Sequence, residues 1–363
     1  MRKAIKRLGD DKTLLTAFDM ANEAILLQRQ TESEIKVDCF TKRDYSSVQH
    51  GSVEFAWRPF QLAFILTTLC SVIDSEDVDR NKVDLIWVTT GGGKTEAYLF
   101  SIAVSILYQR LLDPETEGVG VIMRYTLRLL TAQQFERASA LICALEYMRK
   151  NDSRLGKHNI SIGLWVGSST TPNRKSDARE ALKKMSQNGG DNVFQLLRCP
   201  WCHKSNSLIP NKQDANIVNK WGYMDATRPH SKFDMKCMNP SCEFSQGIPV
   251  YVVDEAIYSA RPTLLFGTVD KFAQVPLKEE TDNLFRAYNS QNGKTYHPQL
   301  VLQDEMHLIS GPLGSIVGLY EAGFDYILKQ NGNRPKYLAS TATIRNSDEQ
   351  IRNLYHRRVI QFP

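Results

Sequence analysis

A glycine-rich string between an apolar run and a helix-forming run has the residue types that bind phosphate. Residues 83–88 are apolar or β-branched apart from Asp84, residues 89–95 read Thr-Thr-Gly-Gly-Gly-Lys-Thr, and a helical pattern follows. Glycines let backbone N–H groups close around anionic oxygens at a helix N-terminus, lysine reaches the β- and γ-phosphates, and threonine offers its hydroxyl to Mg²⁺. The alternative is a glycine-rich strand-to-helix turn with an incidental lysine. The string predicts a site for ATP and Mg²⁺, with these binding residues: Thr90, Gly91, Gly92, Gly93, Lys94 and Thr95.

A second string places two adjacent carboxylates at the end of an apolar run. Residues 300–302 are apolar, and Gln303 is followed by Asp304, Glu305, Met306 and His307. In phosphate-loop ATPases one carboxylate completes the Mg²⁺ shell and a second one orients and deprotonates the attacking water. We assign the first role to Asp304, shared with Thr95, the second to Glu305, and the sensing of the γ-phosphate to His307. Taken alone, the string is also compatible with a solvated strand end. The predicted catalytic residues are Lys94, Asp304, Glu305 and His307.

The two strings together resemble those of superfamily 2 helicases of the DExH type. In that family Thr-Gly-x-Gly-Lys-Thr is tolerated in place of the general phosphate-loop pattern, whose first glycine position holds Val88 here. The resemblance implies the first RecA-like domain of an ATP-dependent helicase or translocase. Residues 58–61, Arg-Pro-Phe-Gln, resemble the Gln motif, which implies that Gln61 reads the adenine base.

Three further strings resemble motifs of the same family, in the same order along the chain. Residues 124–134 resemble motif Ia, residues 267–272 motif Ib and residues 340–343 motif III. Motifs Ia and Ib imply contacts with the nucleic-acid backbone and little direct reading of bases. The residues implied in these contacts are Arg124, Arg128, Gln133, Thr268 and Lys271. Motif III implies that Ser340, Thr341 and Thr343 couple the nucleotide state to the nucleic-acid track.

Residues 304–321, together with Ser-Thr-Ala-Thr-Ile-Arg at 340–345 and the paired cysteines, are similar to the helicase subunit of the DISARM anti-phage defence system. That resemblance implies bacterial defence, DNA as the track and other defence-system subunits as partners. A superfamily 2 motor also needs a second RecA-like domain, whose arginine stabilises the transferring phosphate. Its Gln-x-x-Gly-Arg-x-x-Arg motif does not occur after Thr343. We therefore expect weak ATP binding and near-background hydrolysis, with the second domain in another chain or a missing C-terminal part.

Two non-motor alternatives stay open at this point. One is a non-catalytic, nucleotide-gated DNA-binding or scaffold module, and the other is a structural zinc protein with a relic phosphate loop.

Four of the seven cysteines form two close pairs, Cys199 with Cys202 and Cys237 with Cys242. Four thiolates from two short turns meet the tetrahedral needs of a structural Zn²⁺ and leave no position for water. Reduced thiols packed in an irregular insertion are the alternative, and His203 and His230 are substitute ligands. We expect the region around Trp221 to form strands.

The elements that position these residues are predicted by the spacing of apolar residues. Short β-branched runs alternate with longer helical runs, which predicts an α/β fold with a parallel sheet flanked by helices. Strands are expected at residues 83–88, 119–123, 160–166, 263–266, 300–302 and 336–339. The spacing at residues 13–30 predicts an amphipathic helix, and residues 62–73 read as a buried one. We predict an N-terminal helical extension (1–52), a RecA-like domain (53–363) and a zinc-ribbon-like insertion (186–250).

Composition adds limits but no function. The chain has 363 residues, 42% of them hydrophobic and 23% charged, with a net charge of +5. This charge permits a nucleic-acid partner without requiring one. The basic residues 1–7 are followed by a polar stretch and not by an apolar run, so no secretory signal is predicted. We expect a cytoplasmic protein without a membrane partner.

Overall fold

The computed structural model describes residues 1–33, 56–88, 92–126, 128–285, 288–289, 295–329, 332–342 and 346–363. The helices in chain order are α1 (Arg2–Asp10), α2 (Lys12–Ser33), α3 (Pro59–Ile73), α4 (Lys94–Leu112), α5 (Arg128–Asn151), α6 (Lys175–Asn188), α7 (Asp254–Ala260), α8 (Asp282–Phe285), α9 (Gly311–Lys329) and α10 (Ser347–Tyr355). The strands are β1 (Val83–Trp87), β2 (Val121–Tyr125), β3 (Ile162–Trp165), β4 (Val250–Tyr251), β5 (Leu264–Thr268), β6 (Tyr288–Asn289), β7 (Thr295–Tyr296), β8 (Leu300–Gln303), β9 (Lys336–Thr341) and β10 (Val359–Phe362).

One sheet organises the chain. Its eight strands follow the order β10-β1-β9-β8-β2-β5-β3-β4, and every pairing between neighbours is parallel. β6 and β7 pair separately as a short antiparallel ribbon. Parallel strands need helical crossovers, which cover the sheet and bury it. The predicted RecA-like α/β fold class, a parallel sheet flanked by helices, is confirmed.

The six predicted strands all occur, with ends shifted by a few residues. The two sheet strands that were not predicted, β4 and β10, lie at the two edges. β4 has only two residues, and β10 is mostly half-buried. Short or half-exposed edge strands lack the long apolar run by which a central strand is recognised.

Helices α1 and α2 share the hydrophobic core of the sheet domain. α2 packs against α4 through an edge-to-face contact of Phe18 with Phe100, whose ring centroids are 4.9 Å apart. Leu14, Ala17 and Ala21 of α2 are fully buried in the same core. The predicted amphipathic helix at residues 13–30 and the predicted buried helix at 62–73 are confirmed as α2 and α3.

The cysteine-bearing insertion connects α6 to the edge strand β4. It packs on α5 through two contacts. The ring centroids of Trp201 and Tyr147 are 5.1 Å apart, and the Lys150 ammonium lies 4.5 Å from the Phe244 ring centroid. The strands expected around Trp221 are wrong: short 3-10 helices at Val218–Lys220 and Gly222–Thr227 stand there.

The many Asn, Asp and Lys residues before Trp221 favour turns over strands. Gly222 packs so closely that a Cβ atom there would lie 2.6 Å from the Lys236 carbonyl oxygen. Among the described residues, no helix has the length and apolar character needed to cross a bilayer.

Candidate nucleotide site and cysteine cluster

The start of α4 presents the chain segment expected to bind phosphate. β1 ends at Trp87 and α4 begins at Lys94, with Gly93 as its N-cap in the left-handed region at φ +93°. Glycine is the residue that adopts this conformation without strain. Thr90 and Gly91, two of the predicted binding residues, lie outside the described residues. Gly92, Gly93, Lys94 and Thr95 stand at the N-terminus of the helix, where backbone N–H groups and the helix dipole favour anions.

Lys94 is buried in an unusual way. Its side chain is only 6% exposed, and its ammonium has no hydrogen-bond partner among the residues that the structure describes. Burying an ammonium without a partner is costly, so an anionic group is the natural complement of this position. Lys94 and Thr95 line a cavity of about 480 Å³.

The carboxylates after β8 reach the same cavity. Asp304 is 6% exposed and lines the cavity together with Glu305. The Tyr98 hydroxyl donates to Asp304 Oδ2 at 2.8 Å, while Oδ1 accepts from the Glu305 backbone N–H at 2.9 Å and from the Ser340 hydroxyl. These donors fix the orientation of the Asp304 carboxylate. They leave room for further contacts, since a carboxylate has about four lone-pair sites.

Tyr98 was not predicted from the sequence. Burial, then the neighbouring Asp304 carboxylate, raises the pKa of Tyr98 well above its ordinary value, so the hydroxyl stays a donor. A signal existed, because Tyr98 follows Lys94 by four residues and therefore lies on the same face of α4.

His307 does not line the cavity but lies beside Glu305, which does. Its Nδ1 is 3.4 Å from Glu305 Oε2, and its side chain lines a separate groove between α9 and α10. The structure thus places His307 beside Glu305 but not on the wall shared by Lys94, Thr95 and Asp304.

Gln61, near the start of α3, also lines the cavity. Its Nε2 donates to the Gly93 carbonyl at 2.7 Å, and its Oε1 accepts from the Arg58 backbone N–H at 2.9 Å. The Arg58 guanidinium donates to the Gly92 carbonyl at 2.7 Å. This segment therefore holds the backbone at the start of α4. These bonds to described residues use one of the two N–H groups and one of the two lone pairs of the Gln61 amide.

Three residues predicted to touch nucleic acid are buried instead. Arg124 is 0% exposed and pairs with Glu321, and the Phe272 ring lies 5.4 Å from its guanidinium. Lys271 is 1% exposed and donates to Asp254 at 2.6 Å, while Thr268 is 0% exposed. The prediction that these side chains contact nucleic acid is wrong. The sequence motifs do not reveal the burial of Arg124 and Lys271, because the carboxylate that pairs with each of them belongs to another element.

The other residues predicted from these motifs are not all buried. Gln133 is exposed on α5, whereas the side chain of Arg128 and all of Thr343 lie outside the described residues. Ser340 and Thr341 are buried at the end of β9. Because the Ser340 hydroxyl donates to Asp304, the segment that resembles motif III contacts the Asp304 carboxylate directly.

The four paired cysteines come together in the insertion. All of their sulfur atoms lie within 4.8 Å of one another, and all four residues are buried. The Sγ atoms of Cys199 and Cys242 are 4.0 Å apart, and those of Cys202 and Cys237 are 3.5 Å apart. Tetrahedral zinc with Zn–S bonds of about 2.3 Å separates its sulfurs by about 3.8 Å, so the cluster fits a closed structural site. Of the substitute ligands, His203 is buried and His230 is exposed, and neither belongs to this cluster.

Comparison with known proteins gives a close relative in sequence and several distant ones in structure. No protein-family model matches the chain. Solved structures with a similar fold include the DUF1998 helicase MrfA bound to DNA, with a TM-score of 0.45 and 11% identity over 84% of this chain and 25% of that one. Another is the Mycobacterium smegmatis helicase Lhr bound to ssDNA and AMP-PNP, with a TM-score of 0.44 and 15% identity over 85% of this chain and 26% of that one.

The sequence relative is the DISARM protein DrmA of Bacillus paralicheniformis (strain ATCC 9945a / NCIMB 11709 / CD-2). The two are 36% identical in the matched region. The match covers 85% of this chain, which spans 30% of the length of that relative. The predicted resemblance is confirmed, and over most of its length the chain is a relative of the DISARM protein DrmA.

Proposed function

We propose that the chain is the ATP-binding motor domain of a superfamily 2 DNA helicase or translocase that acts in bacterial defence. The observation that carries the proposal is the buried ammonium of Lys94, which has no hydrogen-bond partner among the described residues, on the wall of a cavity that Asp304 and Glu305 also line. A triphosphate with Mg²⁺ is the ligand that matches a lysine, a helix N-terminus and a pair of carboxylates in one cavity.

Six of the predicted site residues have a definite part in this proposal. Lys94 would bind the β- and γ-phosphates, and Gln61 would read the adenine base with the second N–H and lone pair of its amide. Thr95 and Asp304 would hold Mg²⁺, which neutralises charge on the phosphates. Glu305 would orient the attacking water and accept its proton. His307, in contact with Glu305, would report the state of the γ-phosphate.

The DNA track and the defence role rest on the resemblance to DISARM helicase subunits and on the relation to DrmA. Arg128 and Gln133 stay proposed as residues that contact the DNA backbone. Ser340, Thr341 and Thr343 stay proposed as the coupling segment, which the bond from Ser340 to Asp304 supports. For the cysteine cluster we propose a zinc ion with a folding role.

Hydrolysis is proposed to require a second RecA-like domain, as the superfamily 2 resemblance implies. The chain spans 30% of the length of its DISARM relative. Other subunits of the defence system and a cytoplasmic location are proposed on the same resemblance.

The phosphate site is tested by the variant Lys94→Ala. MgATP binding is measured by isothermal titration calorimetry, and we expect a loss of affinity of about 10-fold or more, because a charge-assisted contact with phosphate is worth about 1.5–3 kcal/mol. Lys184→Ala is the matched control, since Lys184 is 67% exposed and pairs with Glu180 on the far helix α6. Unchanged MgATP affinity in Lys94→Ala would mean that the glycine loop is a relic and that the proposal is wrong.

A further inference from the structure

An ion cluster of three residues forms one wall of the nucleotide cavity. Glu96 stands in the first turn of α4, directly after Lys94 and Thr95, and its side chain is 8% exposed. Its Oε1 accepts a hydrogen bond from Arg137 of α5 and lies 3.5 Å from the guanidinium of Arg29 of α2. The other oxygen, Oε2, has no hydrogen-bond partner within the described part of the chain. Three helices therefore meet at one buried carboxylate.

Both arginines face the cavity. Arg29 and Arg137 line it together with Lys94 and Asp304, and their side chains are 37% and 25% exposed. Neither residue belongs to a motif that the sequence reveals, since Arg29 comes from the N-terminal extension and Arg137 from the middle of α5. The cavity thus holds more positive charge than the glycine loop supplies.

We propose that Arg29 and Arg137 are nucleotide-binding residues, and that Glu96 holds them at the cavity wall as an internal competitor of phosphate. The proposal rests on the proposed function, because it assumes that a nucleotide enters this cavity. Carboxylate and phosphate oxygens are equivalent acceptors for the donor fork of a guanidinium. A phosphate oxygen in the cavity therefore competes with Glu96 Oε1 for the same N–H donors.

The competition fixes the sign of the expected effect. A carboxylate that only braced the arginines would aid binding, and its removal would weaken it. A carboxylate that competes with phosphate opposes binding, and its removal also takes one negative charge away from a cavity that admits a polyanion. Two unit anions that share one guanidinium lie on the order of 6 Å apart, and the loss of one of them corresponds to an affinity change of about three- to tenfold for an effective dielectric constant of about 80 to 40.

The inference also gives the N-terminal extension a part in the site. Arg29 lies near the C-terminal end of α2, whose buried face packs on α4 through Phe18 and Phe100. A phosphate contact by Arg29 would connect nucleotide binding to the position of this helix.

The test compares the MgATP affinities of Glu96→Gln, Arg137→Ala and Arg29→Ala with wild type, by calorimetry on the whole chain. We expect Glu96→Gln to bind MgATP about three- to tenfold more tightly, and each arginine variant to bind it more weakly. Glu96→Asp keeps the charge, so it should show no such gain. Thermal melting curves confirm that each variant is folded.

Matched controls remove the same charges outside the cavity. Glu136→Gln changes a 39% exposed carboxylate that lies 3.6 Å from Arg198, and Arg154→Ala changes a 61% exposed guanidinium that pairs with Asp152. Both controls should bind MgATP like wild type. Weaker binding by Glu96→Gln would overturn the competition, and unchanged binding by both arginine variants would overturn their role. If wild type itself does not bind MgATP, the proposed function fails first.

Discussion

Asp234 is a buried acid that joins the cysteine-bearing insertion to the sheet domain. It is 0% exposed, and its Oδ2 accepts from the backbone N–H groups of Val252 and Val253 at 2.9 and 3.0 Å. Burial raises the pKa of Asp234 to about 6, although the two backbone donors act in the opposite direction. The carboxyl group is therefore more easily protonated in the folded chain than in the unfolded one.

This shift predicts a pH dependence of stability. Because the folded pKa lies above the unfolded value of about 3.9, the stabilising contribution is fully present below that value and is lost as the pH rises through about 6. Asp234→Asn keeps an oxygen acceptor for both N–H groups but does not titrate. Between pH 4 and 6, the free energy of unfolding of wild type should fall relative to that of Asp234→Asn, by at most about 1.4 kcal/mol per pH unit.

Urea unfolding at several pH values measures the difference between the two proteins. Titrations of groups that both proteins share cancel in the difference. Asp191→Asn, at an exposed position at the start of the insertion, is the control and should follow wild type. A difference that does not change with pH would show that Asp234 has the same pKa in both states.

At this scale, the sequence was sufficient to predict which residues meet at the end of a strand and the start of a helix. Lys94, Thr95 and Asp304 meet as expected, because the carboxyl ends of parallel strands share one edge of the sheet. The nucleic-acid contacts predicted for Arg124 and Lys271 were wrong. Their ion-pair partners, Glu321 and Asp254, belong to helices whose positions the local sequence pattern does not reveal. Arg29 and Glu96 carry no motif, and only the packing of α2 on α4 brings them to the cavity.

At the scale of elements, the cysteine cluster is predicted to hold the insertion in place. Its four buried sulfurs lie within 4.8 Å of one another, and the segment continues into β4 and α7. Without a metal, no metal–sulfur bonds connect the four cysteines, and the turns around them lose that source of order. We expect wild type to contain one zinc ion per chain, and Cys237→Ser to lose it and to exchange backbone amide hydrogens faster across residues 196–252.

Plasma emission spectrometry gives the zinc content, and hydrogen exchange with mass spectrometry locates the change. Cys70→Ala is the control, because Cys70 is buried in α3, far along the chain from the cluster, and its loss should leave the zinc content unchanged. Zinc-free wild type with a protected insertion would show that the thiols pack without a metal.

The central strands could be predicted from the spacing of apolar residues, whereas the structure of the insertion could not. The strands β1, β2, β5 and β8 are buried along nearly all of their length, and most of their residues are apolar. In the insertion, order comes from the approach of two distant cysteine pairs and from close packing at Gly222. Neither leaves a periodic pattern in the sequence.

At the scale of the whole molecule, the proposed motor function predicts how hydrolysis depends on a partner. The arginine that a second RecA-like domain supplies is worth about 10³ to 10⁵ in rate. The 363 residues alone should therefore hydrolyse MgATP near background, and a chain that carries a second RecA-like domain should restore DNA-stimulated hydrolysis.

Phosphate release in the presence and absence of DNA measures this effect, with Lys94→Ala in the mixture as the inactive control. Robust DNA-stimulated hydrolysis by the isolated chain would contradict the proposed dependence. Binding of MgATP without hydrolysis in any mixture would instead support the alternative of a nucleotide-gated DNA-binding or scaffold module.

The position of β1 in the sheet has a consequence for biosynthesis. β1 lies between β9 and β10, so Val83 pairs with both Tyr337 and Val359. A ribosome adds about 5–20 residues per second, and the neighbours of β1 therefore emerge on the order of ten seconds or more after it. During that interval β1 lacks the two strands that flank it in the folded chain, and open strand edges can pair with other chains.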